Sequence, residues 1–339
     1  MKKALVTGAA GFIGSHLVRS LLYDLNINVV ALDDLSGGFR DNLPSDVEFV
    51  QCSVTNHELL RVLFNKHNFH YVYHLAAYAA EGLSHFIRNF NYYNNLIGSV
   101  NLINEAVNHG VKCFVFTSSI AVYGVGQTPM REDMIPRPED PYGIAKYAIE
   151  LDLHTAHKMF GLNYVIFRPH NVYGAFQNIG DKYRNVVGIF MNQILQGQPM
   201  TIFGDGTQQR AFSYVVDIIE PIAKSAWMPA AQQRIFNIGA DMPYTVMDLA
   251  HEVSRAMGVR DYPIELLPER NEVKVAYSRH DAAIEVFGPL KNTRLEAGLA
   301  HMAEWVRKVG PRASKAFSNI EIEKNLPPSW ANTTRLLGG

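Results

Sequence analysis

The chain has 339 residues, enough for one large domain or two moderate ones, and its 47% apolar content is ordinary for a globular fold. A net charge of −1 gives no reason to expect a nucleic-acid or acidic-membrane partner. The two cysteines, Cys52 and Cys113, lie too far apart for a metal or redox spacing, so no metal is expected and a reducing compartment fits. No apolar run approaches the ~20 residues of a membrane helix. A strand signal that starts at residue 4 leaves no room for a signal peptide, so the expected location is cytoplasmic.

The first predicted element is a short apolar strand over residues 4–7. It breaks into Gly8, Gly11, Phe12, Ile13 and Gly14, and a helical pattern follows over residues 15–23. A strand feeding a glycine-rich turn and a helix N-terminus is an anion site. No Cβ blocks the approach of a pyrophosphate, and the helix dipole favours its charge. The next strand, residues 29–32, ends at Asp33, near the ~20-residue offset of a carboxylate that binds an adenosine ribose. Asp33 would repel a 2′-phosphate, which favours NAD over NADP.

Further strands are predicted at residues 47–50, 71–75, 113–117 and 164–168, with helices at 56–65, 93–109 and 142–160. This alternation predicts an α/β fold, a Rossmann-type doubly wound parallel sheet covered on both faces. From about residue 175 prolines and glycines become frequent, and helices at 185–196 and 246–257 stand between loops. The expected organisation is an NAD-binding domain over 1–175 and a smaller C-terminal α/β substrate-binding region over 176–310. A segment near 210–230 returns to the first domain. The polar tail, 311–339, is expected to be poorly ordered.

Tyr142 and Lys146 are four residues apart at the start of the helix expected over 142–160, so they share a face. A phenol with an ordinary pKa near ~10 is a poor base at neutral pH. A neighbouring ammonium and a positive nicotinamide ring would make it a better one. Ser118 and Ser119 follow the strand that ends near Thr117, where hydroxyls either face the ligand crevice or cap the strand end.

The glycine turn, Asp33, the Ser119 segment and the Tyr142/Lys146 pair together resemble the extended short-chain dehydrogenase/reductase family. The resemblance extends through Arg168-Pro-His-Asn171-Val-Tyr-Gly174, Thr201 to Asp217, and Phe236-Asn-Ile-Gly239, and covers about residues 3–308. Within that family the chain looks most like the UDP-sugar 4-epimerases, which are NAD-dependent isomerases of carbohydrate metabolism acting on nucleotide-sugars such as UDP-glucose. The resemblance implies that Tyr142 takes the proton from the sugar 4-hydroxyl. It implies that Ser119 holds the same oxygen, and that Lys146 binds the nicotinamide ribose and depresses the Tyr142 pKa. It implies cofactor contacts at Asp34, Ser36, Ser53, Val54, Leu75, Ala76, Ala77, Asn95, Ser118 and Pro169. It places the UDP-hexose against Asn171, Asn185, Val186, Thr201, Phe203, Arg210, Arg270 and Glu272, and implies a homodimer. Ser53 stands where the family has Asp. Arg270 is displaced by one residue if Glu272 is aligned with the family acid. Ala276 then walls the hexose end with a small side chain, whereas a one-residue slip would place Tyr277 there.

The epimerase reading competes with a related nucleotide-sugar dehydratase or decarboxylase, a net dehydrogenase, and a non-catalytic NAD sensor. Dehydratases and decarboxylases carry acids just after the catalytic hydroxyl, where this chain has Ile120 and Ala121. A sensor would need none of Ser119, Tyr142 and Lys146.

Overall fold

The computed structural model describes residues 2–270, 273–314 and 317–330. The first apolar run forms β1 (Lys3–Thr7). The chain turns at Gly8 into α1 (Phe12–Arg19), which a π-helical turn extends over Ser20–Asp24. Next come β2 (Asn28–Asp33), β3 (Glu48–Gln51), α2 (His57–Lys66) and β4 (Tyr71–His74). Two short helices, α3 (Glu81–Ser84) and α4 (Arg88–Asn91), lead through a π-helical segment, Tyr92–Ile97, into α5 (Gly98–Asn108). β5 (Cys113–Thr117), α6 (Pro141–Phe160) and β6 (Tyr164–Pro169) complete this half. Helix α6 carries its own boundary signals. Asp140 accepts the Gly143 N–H, Pro141 occupies the first turn, and Gly161 ends the helix at φ 75°.

The second half contains β7 (Val172–Tyr173), α7 (Val186–Leu195), β8 (Met200–Phe203), β9 (Gln209–Ala211), β10 (Ser213–Tyr214) and α8 (Val215–Ser225). Then come β11 (Arg234–Ile238), β12 (Pro243–Thr245), α9 (Val246–Ala256), β13 (Ile264–Leu267), β14 (Val275–Ala276), α10 (Asp281–Phe287) and α11 (Leu295–Val309).

Seven parallel strands form the main sheet in the order β11-β6-β5-β4-β1-β2-β3. The chain reverses direction across the sheet between β1 and β4, so a crevice opens at their carboxyl ends. Alternate side chains feed opposite layers. Ala4 and Val6 pack with Leu17 of α1, Ile218 and Ile222 of α8 and Ala283 of α10, while Leu5 packs with Leu60 of α2, Leu102 of α5 and Leu153 of α6. The chain returns to this sheet with more than residues 210–230. β11 forms its edge, and α8 and α10 cover one face. A separate core joins Phe190 of α7, Leu249 of α9 and Leu299 of α11.

The described part of the tail corrects the expectation of poor order. Phe317, Ile320, Leu326 and Trp330 pack against Ala80, Leu83, Ile87 and Tyr183, and Trp330 is buried. The Glu321 carboxylate accepts the Asn89 and Phe90 backbone N–H groups at 2.7 and 2.8 Å. Bulk polarity concealed four apolar anchors in this segment.

Candidate active site

A cavity of about 520 Å³ lies along the carboxyl ends of the main sheet. At its floor Gly8 takes φ 66°, and a Cβ there would fall 2.7 Å from the Ala76 nitrogen. A Cβ on Gly14 would lie 2.1 Å from the Gly8 oxygen, so only glycine lets the turn and α1 pack this closely. α1 starts at Gly11 with no side-chain cap and no acidic residue in its first turn, which leaves its N-terminus suited to an anion. Phe12 and Ile13 line the cavity beside it.

Asp33 stands at the end of β2. One carboxylate oxygen accepts the Ala10 N–H at 3.0 Å and the other the Leu35 N–H at 2.8 Å, while burial pushes its pKa up. Asp34, Ser36, Ser53, Val54, Leu75, Ala76, Ala77, Ser118 and Pro169 also line the cavity. The Ser118 hydroxyl is turned inward and donates to Glu150 at 2.5 Å. Asn95 is not on the wall. It accepts the Tyr78 N–H at 2.8 Å and donates to Asn91 at 2.8 Å, so it holds the loop after β4, and Asn94 lines the cavity instead.

β5 and α6 bring the reactive groups together. Ser119 opens a 3-10 turn (Ile120–Val122); its Oγ accepts the Ala121 N–H at 3.1 Å and hydrogen-bonds the Tyr142 phenol. Lys146 lies one turn along α6, with Nζ 5.7 Å from the Tyr142 ring centre, and donates to the Thr117 carbonyl at 2.7 Å. Burial lowers the Lys146 pKa to about 7, against an opposing pull from Glu150. The expected depression of the Tyr142 pKa is reversed in the protein alone. Burial pushes the phenol well above its ordinary value, Asp140 and Glu81 add to this, and Ser119 and Arg184 pull the other way. Burial disfavours the charged form of Lys146 as well, so less of its positive charge is available above neutral pH.

Asn171, Asn185, Val186, Thr201, Phe203, Arg210 and Arg270 line the other end of the cavity. The Arg210 guanidinium donates to the Gln209 and Lys274 carbonyls at 2.8 and 3.1 Å, and to Val273. Arg270 lies over the rings of Phe203 and Trp330, at 4.4 and 5.5 Å. Glu272 lies outside the described residues. Ala276 is on the wall, and Tyr277 is not among its lining residues. His170 is also on the wall; its Nε2 lies 3.2 Å from the Nε2 of His280, whose Nδ1 meets Asp241 at 2.6 Å.

Sequence reasoning missed four further lining residues of note, Thr117, Glu81, His85 and Arg184. The Thr117 hydroxyl is buried with no hydrogen-bond partner among the described residues. Its signal was its place at the end of an apolar strand, directly before Ser118. Glu81 and His85 follow β4 on the same excursion as Ala76 and Ala77, and Arg184 immediately precedes Asn185. Among the described residues no group of three or more His, Cys, Asp or Glu side chains could hold a metal, and no helix is long and apolar enough to cross a membrane.

Residues 4–239 match the NAD dependent epimerase/dehydratase family. The chain belongs to that family. It is 33% identical over 312 residues to the UDP-glucose 4-epimerase of Mycolicibacterium smegmatis, covering 90% of this chain and 98% of that protein. Among solved structures it resembles the Thermotoga maritima UDP-glucose 4-epimerase with UDP-glucose, at TM-score 0.85 and 34% identity, covering 91% of this chain and 99% of that one. It also resembles the Thermus thermophilus UDP-glucose 4-epimerase complex with NAD, at TM-score 0.84 and 29% identity, covering 90% and 99%.

The cofactor of this enzyme is NAD, and the residues present fit it. The uncapped start of α1 suits the pyrophosphate. Asp33 suits the ribose hydroxyls, and the unpartnered Thr117 hydroxyl belongs to the same cavity as Lys146 and Tyr142.

Proposed function

We propose that the enzyme is an isomerase that inverts C4 of a UDP-hexose through a transient 4-keto sugar. The observation that carries this reading is the Ser119–Tyr142 hydrogen bond on the cavity wall, with Lys146 one turn behind it. Tyr142 takes the proton of the sugar 4-hydroxyl. Ser119 holds the same oxygen and shuttles the proton. Lys146 supplies positive charge from beneath and holds the ribose. Bound NAD supplies the hydride acceptor and donor, and its positive ring favours the phenolate. Asn171, Asn185, Val186, Thr201, Phe203, Arg210 and Arg270 hold the nucleotide and its diphosphate. The small Ala276 side chain leaves room for an N-acetyl group. Two relatives named UDP-glucose 4-epimerase, one holding UDP-glucose, support the substrate class.

We also propose a homodimer, paired through α6 and the Tyr92–Ile97 segment. Tyr93, Ile97, Ile144 and Leu151 are exposed there, and Ile144 and Leu151 share one helical face.

A second reading has a specific observation behind it. Chemistry at C5 or C6 needs a carboxyl group, and positions 120 and 121 supply none, yet Glu81 lines the same cavity close enough to act on Tyr142. One experiment separates the two readings. The purified enzyme is incubated with UDP-glucose and with UDP-N-acetylglucosamine, and the products are read by NMR. A C4-inverted sugar without accumulating NADH supports epimerisation. A 4-keto-6-deoxy product would replace it with dehydration.

A further inference from the structure

Arg184 belongs to the loop between β7 and α7, on the substrate side of the cavity, yet it reaches the cofactor side. Its Nε donates to Asp181 at 2.6 Å, and its guanidinium lies over the Tyr78 ring at 4.8 Å. Its Nη2 comes so near Gly37 that a Cβ there would lie 2.9 Å away. Gly37 and Gly38 form the loop after β2, which rests directly on the glycine turn after β1. A Cβ on Gly38 would fall 2.5 Å from the Ala10 carbonyl carbon, and the Phe39 N–H donates to the Ala10 oxygen at 3.0 Å. The Arg184 side chain is 16% exposed and that of Asp181 is 9% exposed. A partly desolvated cation, fixed by a carboxylate and an aromatic face, is thus held across the crevice next to the glycine turn.

We propose that Arg184 binds the pyrophosphate of NAD from the side opposite the glycine turn. The start of α1 offers backbone N–H groups and a partial positive charge from below. A pyrophosphate carries a negative charge on each phosphate, and a guanidinium fork matches phosphate oxygens in shape and charge. Asp181 engages the guanidinium through Nε and so aims its Nη2 end at the loop. Arg184 and Asn185 are consecutive, so the cofactor clamp shares its backbone with the proposed nucleotide-sugar loop. The diphosphate of a sugar nucleotide has the same chemistry, and binding measurements distinguish the two ligands.

The full chain, as wild type, Arg184→Gln and Arg184→Met, is dialysed free of nucleotide and titrated calorimetrically with NAD, and separately with UDP in saturating NAD. NAD released on denaturing the undialysed proteins gives a second readout. The expected result is NAD binding about 10- to 100-fold weaker in both variants, the scale of a charge-assisted hydrogen bond, with UDP affinity unchanged. Arg184→Met keeps an unbranched stem over Tyr78 and decides the matter if Arg184→Gln does not fold. Unchanged NAD affinity overturns the proposal. So does a loss of UDP affinity in place of NAD affinity, which would assign the guanidinium to the substrate diphosphate.

Discussion

Glu150→Gln tests the polar network beneath the active site. The side chains of Glu150 and Arg168 are each 2% exposed and pair at 2.5 Å, with a second contact from Arg168 Nε at 2.9 Å. The Ser118 hydroxyl donates to the same carboxylate at 2.5 Å, and Arg168 Nη1 donates to the Tyr123 hydroxyl at 2.7 Å. Glutamine keeps the shape but removes the charge, and it turns an amide donor toward groups that are themselves donors. Leaving one partner of a buried pair uncompensated costs about 3–5 kcal/mol. At about 2–4 °C per kcal/mol for a protein of moderate size, the melting temperature falls by about 6–20 °C. Glu150 also holds the Lys146 ammonium up against burial, so the variant moves the Lys146 pKa below its value of about 7. If the protonated lysine supports the phenolate, activity is lost as pH rises through that pKa, and the alkaline limb of kcat/KM shifts to lower pH. Calorimetric melting and a pH–rate profile measure both effects. Glu150→Leu with Arg168→Met removes both charges and recovers most of the stability. An unchanged melting temperature in the single variant, or a double variant as unstable as the single one, would refute the reasoning.

Tyr142→Phe lowers kcat by at least about 100-fold, the scale of a lost general base, while NAD content after denaturation stays at the wild-type level. Burial holds His16 at about 4 and both His74 and His170 at about 3, so the unfolded chain binds more protons below pH 6.5. Stability therefore falls with pH from about 6.5 downward, by about 1.4 kcal/mol per unit per histidine, with Asp140, raised to about 6, opposing one of the three. Urea midpoints that stay flat between pH 7 and 5 would contradict this. Trp330→Ala removes a ring from beneath Arg270 and Phe203, and raises the KM for the nucleotide-sugar with little change in kcat. Leu151→Asp places a charge in the proposed dimer face; light scattering at micromolar concentration should give a dimer for the wild type and a monomer for the variant.

The main sheet was legible because most of its strands are compact apolar runs and β1, β3, β4 and β5 each lead to a helix of different periodicity, and the glycine turn has few other uses. Tyr142 and Lys146 were legible because helical spacing fixes their shared face. β11 was harder to read as part of the sheet, because Arg234-Ile-Phe-Asn-Ile lies far along the chain and joins only through its pairing with β6. Asn95 shows a structural duty that motif matching does not report. Its amide is consumed by the Tyr78 backbone, and its neighbour Asn94 takes the wall. Glu81 opens the short helix α3 and Arg184 lies in the loop before α7, outside every motif, and only the meeting of segments from both halves brings them to one cavity. The sign of the Tyr142 shift depends on burial, which spacing does not report.

The docking of Trp330 has a consequence for biosynthesis. The glycine turn leaves the ribosome long before Trp330, which backs Gly82, Phe203 and Arg270 on the same cavity. A nascent chain would complete the first six strands of the sheet while the edge strand β11 and the aromatic prop were still unmade, leaving apolar surface uncovered meanwhile. Synthesis halted shortly before residue 330 would therefore yield a protein competent to hold dinucleotide but slack at its sugar-nucleotide end, a state that quality control would meet as a folded but underperforming enzyme.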